Sequence, residues 1–132
     1  MKLKEILISL LEDISAEEAH STIGSIQTLI DKKRGVAFIV KQGNSAYKWK
    51  KIQEMIKTND LQSMYVKGNP GDAYIIYRKG FENDAAELKD IAEKYGGYLS
   101  AKATEEDSRR IGELLGYKKE DIDWYINKNY KN

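Results

Sequence analysis

The stretch KKRGVAFIVKQ, residues 32–42, decides how the chain is read. Three cations and a glycine lead into five apolar residues in a row, from Val36 to Val40. A strand with one solvated face alternates apolar and polar residues, and this one does not, so both its faces are expected to be covered. The segments around it must supply those layers.

Upstream, Leu3, Ile6, Leu7, Leu10, Leu11 and Ile14 recur at three-and-four spacing, which predicts an amphipathic helix over residues 2–13. Ser15 with Glu18 forms a capping box that opens a second helix, with Ala19, Ile23, Ile26 and Ile30 as its apolar stripe. Gly35 is expected to end it, after a basic last turn of Lys32, Lys33 and Arg34 that suits the helix dipole. Residues 1–34 thus read as an N-terminal helical hairpin.

Downstream, Asn44 or Ser45 caps a third helix over 46–58, with Trp49, Ile52, Met55 and Ile56 turned inward. Two β-rich runs, 63–67 and 73–78, flank the turn signal GNPGD. Asn83 or Asp84 caps a fourth helix that stops at Gly96 and Gly97, and YLSAKA, 98–103, reads as a last strand. The order over 35–103 is β-α-β-β-α-β, the ferredoxin-like unit, whose antiparallel sheet carries both helices on one face. Thr104 with Asp107 opens a fifth helix that Gly116 ends, and 119–129 form a sixth, giving a C-terminal helical hairpin over 104–132. The expectation is an α+β protein. With no Pro/Gly/Ser-rich linker, residues 1–132 read as one domain.

The 132 residues suffice to bury a core without staples. Cysteine is absent, which excludes disulfides, thiolate metal sites and cysteine nucleophiles; the one histidine, His20, reads as an ordinary helix residue. No metal motif, phosphate loop or cofactor fingerprint occurs. Glu5 interrupts the only stretch resembling a signal peptide, and no apolar run is long enough to span a bilayer, so a cytoplasmic protein without a membrane partner is expected.

The net charge of +1 hides an uneven distribution. Residues 32–80 hold eleven Lys/Arg against three Asp/Glu, while both flanking segments are acidic. That asymmetry points to an anionic partner for the middle of the chain. Its densest part is AYKWKK, residues 46–51, where Lys48, Lys50 and Lys51 interleave with Tyr47 and Trp49 at a helix start. Arg34, Lys41, Arg78 and Lys79 lie at strand ends and are expected to extend this surface.

Two family resemblances bear on the partner. RGVAFIVK, 34–41, resembles the strand signature of RNA-recognition domains at Arg34, Gly35, Ala37, Phe38 and Ile39. It departs at Val36 and Lys41, where that family carries aromatics, and it falls on the first strand rather than the third, so a core strand is the expectation. Residues 109–128 resemble a DNA-binding helix-turn-helix, with Gly112, Gly116 and Ile122 at its spacing and Ile111, Leu115 and Tyr125 at its core positions. Glu120, Asp121 and Asp123 would face phosphate from its second helix, which opposes DNA binding.

The leading expectation is a non-enzymatic binding module, an inhibitor or adaptor that engages an acidic macromolecule through its basic middle. In general style it resembles small proteins of bacteriophages and mobile elements, although no motif carries that likeness. The alternatives are a nucleic-acid-binding protein, using helix 46–58 or segment 109–128, and a small enzyme without a recognisable motif.

Overall fold

The computed structural model describes residues 22–41, 44–67, 72–97 and 103–131. Its elements follow the order α1 (Thr22–Ile30), β1 (Val36–Val40), α2 (Ala46–Thr58), β2 (Gln62–Val66), β3 (Ala73–Tyr77), α3 (Glu82–Lys94), α4 (Glu105–Leu114) and α5 (Lys119–Tyr130). The chain is a mixed α+β protein around a three-stranded antiparallel sheet of order β1-β3-β2. The expected helix over 2–13, His20, and the expected strand over 98–103 save Ala103 lie outside the described residues.

Side chains alternate across the strands, so the register sorts the core into two halves. Val36, Ala73, Ile75, Tyr77 and Val66 share one sheet face and pack against Ala85, Leu88 and Ala92 of α3 and Ile111 and Leu114 of α4. Ala37, Ile39 and Ile76 share the other, under Ile26 and Leu29 of α1 and Ile52 of α2. Each buried aliphatic side chain contributes roughly 1.5–3 kcal/mol, so both layers are strongly held.

This arrangement departs from the ferredoxin-like expectation, which puts both helices on one face. Here α2 and α3 cover opposite faces. The reason lies in the strands: VAFIV and AYIIY are apolar throughout, and a sheet so built must be covered on both sides.

The helix ends follow one rule. In each of α1 to α4 the residue two past the last helical one sits in the left-handed region, and the next N–H bonds back to the helix, closing a Schellman motif. Gly96 and Gly116 fill that position after α3 and α4, where an unbranched backbone costs nothing. Lys32 (φ 58°) and Asp60 (φ 55°) fill it after α1 and α2. The expected stop at Gly35 is therefore corrected. The helix ends at Ile30, and Lys32, Lys33 and Arg34 lie beyond its last turn.

The starts of α2 and α4 are as expected, while the capping box of Ser15 and Glu18 lies outside the described residues. The Ser45 hydroxyl accepts from the Lys48 N–H, and Thr104 Oγ1 from the Asp107 N–H. For α3 the cap differs: Phe81 is the N-cap without a side-chain bond, and the Glu82 carboxylate reaches back to the Gly80 N–H at 3.1 Å.

The α4–α5 hairpin closes over Gly112, where an added Cβ would stand 2.8 Å from Ile122 Cγ1. Arg110 donates to both oxygens of Glu87, one at 2.8 Å, tying α4 to α3. Tyr95 and Lys94 converge on Asp107, whose carboxyl these donors hold below the ordinary carboxylate range, with Lys94 the larger cause. Among the described residues no helix is long and apolar enough to cross a membrane.

Candidate anionic-partner surface

The antiparallel pairing of β1 with β3 separates the seven basic residues singled out in the sequence. Lys41 leaves the end of β1 beside the start of β3, its N–H bonded to the Asp72 carbonyl at 3.0 Å. Arg78 leaves the far end of β3, where its N–H meets the Gly35 carbonyl at 2.9 Å. A five-residue strand, about 16 Å, stands between the two ends. The single surface expected from the sequence is therefore two surfaces.

At the second end, both arginines make bonds within the fold. Arg34 Nε donates to Thr28 Oγ1 at 2.9 Å, and its Nη1 to the Leu115 carbonyl at 3.5 Å, joining α1 to the end of α4. Arg78 Nη1 donates to the Arg34 carbonyl at 3.4 Å, and its guanidinium lies over the Phe81 ring, 5.4 Å from the centroid. Lys79 is exposed.

At the first end, Lys41 is joined by Lys48, Lys50 and Lys51, all exposed on the opening turns of α2. Tyr47 beside them is 79% exposed. Lys67, just past β2, is exposed at the same end because β2 runs parallel to β1 across β3.

A row of rings runs from Lys41 across the sheet. Lys41 Nζ sits 5.7 Å above the Trp49 ring. Trp49 packs on Tyr74 of β3 with centroids 5.3 Å apart, and Tyr74 meets Tyr65 of β2 edge-on at 5.6 Å. Trp49 and Tyr74 are half-buried against the core, while Tyr65 is 45% exposed. On this side of the sheet α1 and α2 cover β1 and β3, and Ser63 and Tyr65 of β2 are exposed. The Tyr65 hydroxyl donates to Asp72 Oδ1 at 2.7 Å, and that bond to a carboxylate raises its pKa.

Tyr65 and Tyr74 were not among the residues the sequence pointed to, yet a signal was there. They flank the GNPGD turn, three residues before it and two after it, and the hairpin register pairs them directly. The run resembling an RNA-recognition strand is core: Val36, Ala37 and Ile39 are buried and Phe38 is half-buried.

The segment resembling a helix-turn-helix does form two helices, with Ile111, Leu115, Ile122 and Tyr125 buried as its spacing implies. Its acidic face is smaller than expected, since Asp121 is buried and Asp123 pairs with Arg109 at 2.5 Å. Trp124 is exposed there, with Lys128 Nζ 4.7 Å from its ring centroid.

In comparison with known proteins, the chain matches no family model, no curated protein and no solved structure.

Proposed function

We propose that the chain is a binding module that engages an anionic macromolecule through Lys41, Lys48, Lys50 and Lys51 and the ring row Trp49–Tyr74–Tyr65. The observation that carries this reading is the row itself, with Lys41 at one end and the exposed Tyr65 at the other. Lysines on a helix alone are common and imply little. A lysine joined to a row of rings that ends on an exposed tyrosine combines charge attraction with stacking, the two terms that hold single-stranded nucleic acid. Single-stranded RNA or DNA is thus the partner the surface fits best.

An acidic protein partner, as an inhibitor or adaptor would have, is the second reading, favoured by the exposed Tyr47, since tyrosines anchor protein interfaces. Fluorescence anisotropy with labelled single-stranded RNA, single-stranded DNA and duplex DNA separates the two. Binding to the single strands that is abolished by Lys48→Glu/Lys50→Glu/Lys51→Glu supports the nucleic-acid reading. No binding to any of them, even at low salt, turns the assignment to an acidic protein.

A further inference from the structure

At the other end of the sheet, the C-terminal ends of α1 and α2 and the exit of β3 enclose a groove of about 260 Å³. Leu29, Ile30 and Leu61 line it with apolar surface, and Lys32, Arg78, Lys79 and Asp60 border it as well. Three cations against one carboxylate leave it positive. The two helix ends add partial negative charge of about half a unit each, which reduces that surplus without cancelling it.

Lys32 is the telling residue. It holds a left-handed backbone at φ 58°, which costs a non-glycine residue roughly 1 kcal/mol or more. The same position after α3 and α4 is glycine, so the motif itself does not ask for a lysine. What lysine adds there, and glycine would remove, is a positive charge at the groove. Asp60 has a similar backbone, but aspartate tolerates that region far better than lysine.

We propose that this groove binds a small anion on an apolar stem, a phosphate monoester or carboxylate. Lys32, Arg78 and Lys79 hold the anionic group, and Leu29, Ile30 and Leu61 receive the stem. Arg78 brings the planar donor fork suited to such oxygens, steadied by the Phe81 ring beneath it. The site is separate from the lysine and tyrosine surface and stands or falls independently of it.

The test is an amide-shift NMR titration of the full chain with phenyl phosphate, phenylacetate and inorganic phosphate, repeated on Lys32→Gly. Shifts should centre on residues 29–32, 59–61 and 78–79. Affinity for phenyl phosphate should fall roughly tenfold in Lys32→Gly, the loss expected for one charge-assisted contact. That variant should be the more stable protein, so weaker binding cannot be put down to unfolding. Binding of phenyl phosphate alone assigns a phosphate monoester, and binding of both stemmed anions assigns the broader class. The proposal is overturned by unchanged affinity in Lys32→Gly, by shifts spread over other lysines, by inorganic phosphate binding as tightly as phenyl phosphate, or by no binding.

Discussion

Gly35 and Phe81 interlock. A Cβ placed on Gly35 would lie 2.2 Å from both Cδ1 and Cε1 of the Phe81 ring. The glycine that makes 34–41 resemble a nucleic-acid-binding strand is there because a ring of the core crosses its backbone. Gly35→Ala should therefore cost about 3 kcal/mol, the upper range for overpacking, measured as a lower urea midpoint at unchanged slope. In a Phe81→Ala background the same change should cost less than about 1 kcal/mol, because the ring it meets is gone.

Lys32→Gly should raise stability by about 1 kcal/mol by relieving the left-handed lysine at the end of α1. Gly116→Ala is the opposite case. Its φ is +83°, and a Cβ there would stand 3.0 Å from Arg34 Cβ, so a loss of about 1–2 kcal/mol is expected. Thermal melts of the two variants should move in opposite directions. Parallel shifts would refute the account of these helix ends.

Much of this was legible in the sequence, for physical reasons that differ by element. The bounds of α2 were readable because Ser45 caps it and Trp49, Ile52 and Ile56 repeat at helical spacing. The hairpin of α4 and α5 was readable from Thr104, Gly116 and the stripe of Ile111, Leu115 and Ile122. The end of α1 was misread because propensity favours glycine at a left-handed cap, and Gly35 stood nearby while Lys32 took the position. The split of the basic residues follows from the antiparallel pairing of β1 with β3, which sets the exits of the two strands at opposite ends, and no local pattern around Lys41 or Arg78 shows it. Tyr65 and Tyr74 were readable only once their strands were known to form a hairpin.

Alkaline pH should weaken the fold through Tyr117. Burial pushes its hydroxyl up to about 12, with the Arg34 charge pulling the other way. The folded state thus favours the neutral phenol, while the unfolded chain ionises near the ordinary value of 10.0. This contribution is intact below that value and is lost as pH rises towards about 12, by roughly 2 kcal/mol. Tyr117→Phe should flatten the stability profile in that window, read from urea midpoints at successive pH. An equally steep fall in the variant would contradict it.

Salt should act strongly on the partner surface. If Lys41, Lys48, Lys50 and Lys51 each neutralise one phosphate of a single strand, the logarithm of affinity falls against that of salt with a slope of about −3. Raising salt from about 50 to about 200 mM then weakens binding roughly fiftyfold. Lys41→Ala should reduce the slope by about 0.7. A slope near zero would mean that these lysines do not meet phosphate.

The central claim is that the partner lies on the ring row, and Trp49 reports on it directly. In a Trp124→Phe variant Trp49 is the one remaining tryptophan. Its fluorescence should be quenched as unlabelled single-stranded RNA or DNA is added, should recover with salt, and should respond little once Tyr65→Ala removes the open end of the row. Binding seen by anisotropy while Trp49 fluorescence stays unchanged would place the partner elsewhere and contradict the account.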